Sequence, residues 1–155
     1  MYYKDTKIRK IIGNINLFPN FVTLIVETNT VTRMKDLIIT AVIKVYQYDE
    51  LNEADQALVK TAKDATARSY SPYSHFSVGA AVLLGNGIVV TGTNQENAAY
   101  PSGLCAERTT LFYANSQYPD QPVVTLAIAA RTEKDFIDRP IPPCGACRQV
   151  ILETE

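Results

Sequence analysis

Apolar positions along the chain change period several times, and each change marks an element. Ala54, Leu58, Ala62 and Ala65 recur at helical spacing with charged and polar residues between them, which predicts a helix with one apolar stripe. Asn52 stands where an N-cap is wanted, and Glu53 and Asp55 occupy the first turn, where the helix dipole favours acidic groups. The helix is expected to run to about Ser69. Tyr70-Ser71-Pro72-Tyr73-Ser74 then breaks it, because Pro72 restricts Ser71 and has no N–H to donate.

Ser77 to Leu84 and Ile88 to Asn94 flank Gly85-Asn86-Gly87, a strong hairpin signal. Val78, Ala80, Val82 and Leu84 alternate, yet Ala81 and Leu83 are apolar too, so both faces of this strand are expected to be covered. After a loop through Pro101 and Gly103, Cys105 opens a helix to about Ser116. Val123 to Ala130 is a continuous apolar run, read as a buried central strand. Pro140, Pro142 and Pro143 stiffen the next loop, and Cys144 opens a last helix. Helix, hairpin, helix, strand, helix predicts the α/β class, as a three-layer α/β/α sandwich.

The beginning of the chain is less legible. Phe21 to Val26 reads as a short strand, and Leu37 to Tyr48, rich in Ile, Val and Tyr, as a longer one. Residues 1–33 are expected to form a leading extension, with Met34 a candidate start and 34–155 one domain. A length of 155 residues with 46% hydrophobic content suffices for a single core.

Charge narrows the function classes. A formal net charge of -1 gives no basic stripe for nucleic acid. No run approaches the ~18 apolar residues of a membrane span. Lys4 to Lys10 with Ile11-Ile12 faintly imitates a charged leader, but Asn14, Asn16, Pro19 and Asn20 interrupt the apolar part and no small-residue cleavage site follows. A cytoplasmic protein is expected, and an odd cysteine count with a C-x-x-C pair there favours metal or redox chemistry over disulfides.

All three cysteines lie in two short stretches, Cys105-Ala106-Glu107-Arg108 and Pro143-Cys144-Gly145-Ala146-Cys147. Cys144 and Cys147, three apart at a helix start, face the same side, and helix N-termini favour thiolate over thiol. Three thiolates can hold Zn²⁺ and leave a fourth place for water, as catalytic zinc sites do. Arg108 and Arg148 could offset the excess negative charge. Two other readings compete. One is a thioredoxin-like redox pair with Cys105 in the core, although that motif normally follows the first strand of its fold. The other is a structural zinc knuckle closed by His75, the only histidine, which a loop position makes more ordinary as a solvated side chain. Glu107 alone would pass for a first-turn glutamate. Cys-x-Glu followed by Pro-Cys-x-x-Cys, however, is the zinc-deaminase pattern, in which the glutamate acts as general acid and base.

The sequence resembles the small homotetrameric cytidine deaminases that act on free nucleosides. The resemblance covers about residues 50–155. It rests on Ser71-Pro72-Tyr73-Ser74-His75-Phe76, Val78-Gly79-Ala80-Ala81, Asn94-Gln95-Glu96-Asn97-Ala98-Ala99-Tyr100-Pro101, Cys105-Ala106-Glu107-Arg108 and Pro143-Cys144-Gly145-Ala146-Cys147-Arg148-Gln149-Val150. It implies one zinc per subunit held by Cys105, Cys144 and Cys147, with Glu107 as proton shuttle. Asn94 and Glu96 would grip the ribose 3′-hydroxyl, Phe76 stack on the pyrimidine, Ala106 offer a backbone N–H to the base, and Tyr100 shape a neighbouring subunit's site. Arg108 would hydrogen-bond the ligand sulfurs. The implied reaction is hydrolytic deamination of cytidine and deoxycytidine in pyrimidine salvage, with a nucleoside as partner and a homotetramer as assembly.

Similar proteins continue beyond the position of Glu155 through two more strands and a helix. The sandwich is therefore expected to lack its C-terminal strands, leaving Val123–Ala130 as an open sheet edge unless the leading strands occupy it. Two alternatives follow: a deaminase of another cytosine-bearing nucleoside, such as a nucleoside antibiotic, and an inactive truncated zinc-binding fragment.

Overall fold

The hairpin of β2 (Ser77–Leu84) and β3 (Val89–Thr93) is the centre on which the other elements pack. Its turn closes with Gly87 N–H donating to the Leu84 carbonyl at 2.9 Å, and Gly87 takes a φ of 83° that a side chain would resist. The computed structural model describes the backbone of residues 10–12 together with residues 44–139 and 141–154. Phe21–Val26 and Met34 lie outside the described residues.

Helix α1 (Glu53–Ala65) starts where Asn52 accepts from Asp55 N–H at 2.9 Å, and tightens into a 3-10 turn at Thr66–Arg68 before ending at Ser69. Helix α2 (Ala106–Gln117) has Cys105 at its N-cap, and α3 (Gly145–Glu153) has Cys144 there. Strand β4 (Val123–Arg131) pairs antiparallel with β2, Ala81 opposite Ala127. On its other side, β1 (Lys10–Ile12) runs parallel to it, Ile11 opposite Leu126, so the sheet order is β1-β4-β2-β3. The outer edge of β4, expected to stand open, is thus covered by leading residues over Thr125–Ala127.

Both faces of the sheet are buried, for the reason the apolar pattern of β2 suggests. Ala81 and Leu83 pack with Leu58 and Ala62 of α1 and with Ala127 and Ala129 of β4. Ala80, Val82 and Leu84 point the other way, to Ala106, Leu111 and Ala114 of α2 and Ile151 of α3. The result is an α/β/α sandwich. Small residues let the layers close: a Cβ on Gly92 would meet Thr110 Oγ1 and stand 2.8 Å from Thr110 N. That close approach seats α2, and with it Cys105 and Glu107, directly on β3.

One expected strand is not borne out over the part of it that is described. Of Leu37–Tyr48, the part that is described, Lys44–Gln47, has no regular structure, and Tyr48 opens a 3-10 turn through Glu50. Tyr48 packs on α1 instead of joining the sheet. Its hydroxyl donates to the Gln56 carbonyl at 3.1 Å and its ring lies 5.2 Å from the Lys63 ammonium. Val45 is 73% exposed.

Candidate metal and active site

The N-termini of α2 and α3 meet, and the three cysteines meet with them. Cys105 Sγ lies 3.8 Å from Cys144 Sγ, and Cys144 Sγ lies 3.4 Å from Cys147 Sγ. All three sulfurs fall within 4.8 Å of one another, and all three are free thiols. Tetrahedral zinc with metal–sulfur bonds of about 2.3 Å requires sulfurs about 3.8 Å apart. The cluster therefore fits zinc in spacing and in donor type. Among the described residues the group contains these three cysteines and nothing else. His75 lies elsewhere, with Nδ1 3.3 Å from Glu133 Oε1. The zinc-knuckle reading loses its fourth ligand, and the redox-pair reading its buried, separate Cys105.

Backbone and side-chain charge prepare the sulfurs for a cation. Cys147 N–H donates to Cys144 Sγ at 3.5 Å, the helix-start contact expected from the spacing. The Cys105 thiol is pulled down to about 5, first by the hydrogen bond from Cys147 and then, against burial, by Arg108. The Cys147 thiol is correspondingly pushed up, first by its contact with Cys105 and then by burial. Arg108 Nη2 reaches Cys105 Sγ at 3.8 Å and the Gly103 carbonyl at 3.5 Å. Arg148, the other candidate for charge compensation, is exposed.

Glu107 follows Cys105 by two residues on α2 and is only 6% exposed. Burial pushes its carboxyl above the ordinary range, since a desolvated carboxylate is disfavoured. It lines a cavity of about 530 Å³ together with Cys105, Cys144 and Ala106. Phe76, Asn94, Glu96 and Tyr100 line the same cavity. Tyr100 sits in a 3-10 turn (Tyr100–Ser102) and is 87% exposed.

Asn94 and Glu96 both hold the loop that carries Phe76. Asn94 Oδ1 accepts from Val78 N–H at 2.7 Å, and its Nδ2 donates to the Phe76 carbonyl at 2.9 Å. Glu96 Oε2 accepts from Tyr73 N–H at 2.9 Å and from Ser74 N–H at 3.2 Å. Hydrogen bonding from the Ser74 side chain first, and then from the Tyr73 backbone, keeps the Glu96 carboxyl below its usual range. Among the described residues one Asn94 amide hydrogen has no partner, and the Glu96 carboxylate, with its two oxygens, keeps accepting capacity for a ligand.

Several participants carry no sequence signal. Ile141 and Pro142 line the cavity from the loop before α3. Ser69, Ser71 and Ser77 form a hydroxyl chain ending on Asn94. His75 takes a φ of 53°, the one positive value at a non-glycine among the described residues. Serines in a polar loop look like any others until the contacts are known, and a histidine in the left-handed region has no local motif.

Comparison with known proteins agrees with this geometry. Residues 52–155 match the family profile described as the cytidine and deoxycytidylate deaminase zinc-binding region. Over 98 residues the chain is 50% identical to a cytidine deaminase of Halalkalibacterium halodurans, covering 63% of this chain and 70% of that one. Over 92 residues it is 44% identical to a cytidine deaminase of Mycobacterium tuberculosis, covering 59% and 65%. The crystal structure of cytidine deaminase from Burkholderia pseudomallei superposes with a TM-score of 0.57 at 42% identity, over 67% of this chain and 77% of that one. The Mycobacterium leprae cytidine deaminase structure does so at 0.56 and 35%, over 66% and 81%. With the zinc-fitting cysteines inside the matched region, the chain belongs to the cytidine and deoxycytidylate deaminase zinc-binding family.

Proposed function

We propose that this protein hydrolyses cytidine, and deoxycytidine, to uridine or deoxyuridine and ammonia. The observation that carries the reading is the placement of a buried Glu107 and two of three clustered cysteines on the wall of one cavity. Held by Cys105, Cys144 and Cys147, zinc would supply the Lewis acidity that makes water nucleophilic near neutral pH.

The chain's own groups do the rest. Glu107 takes a proton from the attacking water and delivers it to N3 of cytosine, which makes C4 electrophilic. C4 accepts the hydroxyl; Glu107 then moves that hydroxyl's own proton to the amino group, so ammonia leaves and C4 keeps a carbonyl. A carboxyl raised by burial suits a group that must hold and release a proton in one cycle. Arg108 offsets the charge of three thiolates and orients Cys105. Phe76 stacks on the pyrimidine, the Ala106 backbone meets the base, and the remaining Asn94 and Glu96 groups bind the ribose 3′-hydroxyl. Tyr100, exposed beside the cavity, reaches a neighbouring subunit's site in a homotetramer. A cytoplasmic location suits three reduced thiols, and among the described residues no helix is long and apolar enough to cross a membrane.

The test is the loss of cytosine ultraviolet absorbance on adding the protein to cytidine, with and without a chelator. Turnover that the chelator abolishes and zinc restores is expected. No turnover by zinc-loaded protein would leave a non-catalytic zinc-binding chain.

A further inference from the structure

Asn94 is fixed by more than the backbone. Its Oδ1 accepts from Val78 N–H and also from the Ser69 hydroxyl, so both lone pairs of the amide oxygen are engaged. Behind Ser69 stand two more hydroxyls. Ser69 Oγ is 3.2 Å from Ser71 Oγ, and Ser71 Oγ is 3.2 Å from Ser77 Oγ. A hydroxyl has one hydrogen, and an amide oxygen cannot donate. The Ser69 hydroxyl can therefore only donate to Asn94, whose amide oxygen has no hydrogen to give.

That donation has a consequence at the cavity. Two donors on the amide oxygen draw electron density from the amide nitrogen and so sharpen its own donation. One Nδ2 hydrogen is committed to the Phe76 carbonyl at 2.9 Å. The other is the group Asn94 can present to a ligand in the cavity that it lines. We infer that Ser69 is a positioning residue for substrate recognition, acting through Asn94 to fix and sharpen its donation to a substrate hydroxyl. The inference rests on the reading of Asn94 as a ribose contact.

The experiment compares Ser69→Ala and Ser69→Thr with the unchanged protein, zinc-loaded, on cytidine and on 3′-deoxycytidine. Losing one neutral hydrogen bond of this kind is worth about a three- to tenfold change. For Ser69→Ala the KM for cytidine is expected to rise by that factor with kcat unchanged. The KM for 3′-deoxycytidine should stay where it is, and Ser69→Thr, which keeps the hydroxyl, should restore the cytidine value. A purely structural serine would raise KM equally on both nucleosides and lower the melting temperature, which would overturn the inference. So would an unchanged KM for cytidine. Wild-type protein that turns over both nucleosides equally well would remove the hydroxyl contact itself and the inference with it. Wild-type protein without cytidine turnover would instead sink the proposed function on which both depend.

Discussion

Arg108 Nη2 stands 3.8 Å from Cys105 Sγ, one helical turn along α2 from the sulfur that it faces. The same nitrogen contacts the Gly103 carbonyl, so the guanidinium ties the loop before the helix to the first ligand. Replacing Arg108 by Ala removes the positive charge and the orienting contact together. Outer-shell partners of metal ligands are typically worth about 10–100-fold in affinity. Zinc affinity, measured by competition with a chromophoric chelator, is expected to fall by that factor in Arg108→Ala. An affinity equal to wild type would show that Cys105 is oriented without it.

The seat of α2 on the sheet can be tested at Gly92. A Cβ there would collide with Thr110, whose side chain is fully buried and bonded to the Ala106 carbonyl at 2.7 Å. Neither backbone can yield without moving the helix that carries Cys105 and Glu107. Gly92→Ala is expected to cost about 1–3 kcal/mol in denaturant unfolding, as overpacked sites do, and to weaken zinc retention in parallel. Unchanged stability would mean that α2 is seated more loosely than this contact implies.

Much of this architecture is readable from residue order, and the exceptions have physical reasons. Gly85-Asn86-Gly87 announces its hairpin because the turn is local. The doubly apolar β2 announces two covered faces because Ala81 and Leu83 have no other use. Cys144 and Cys147 announce a shared site because three-residue spacing at a helix start leaves no choice of side. Cys105 joins them through a contact distant in sequence, which only the combination of Cys-x-Glu with Pro-Cys-x-x-Cys could signal. Lys10–Ile12 on the edge of β4 is invisible beforehand, since three residues show no periodicity and their partner is more than a hundred positions away. Lys44–Tyr48 has strand-like composition but sits beside α1, where side-chain contacts of Tyr48 outweigh propensity. The serine chain to Asn94 was hidden for the same reason: hydroxyl direction is set by neighbours, not by the sequence around it.

The loop carrying Phe76 should respond to acid through Glu96. Its folded carboxyl lies below the ordinary value of 4.5, so the contacts to Tyr73 and Ser74 are fully present above that value. They are lost as pH falls through the lower, folded value, when the protonated group no longer favours them. Hydrogen-exchange protection of the Tyr73 and Ser74 amides, corrected for intrinsic exchange, is expected to decline below about pH 4.5. In Glu96→Ala it should be low at every pH. Protection that is equal in both proteins would detach the loop from Glu96.

The central claim is that Glu107 moves the proton beside a zinc held by three sulfurs. Zinc content and cytidine turnover, measured on the same preparation of Glu107→Gln, test it most directly. The account predicts one zinc per chain, as in wild type, with turnover reduced by about 10²–10⁴. Undiminished turnover by the zinc-loaded variant would contradict it.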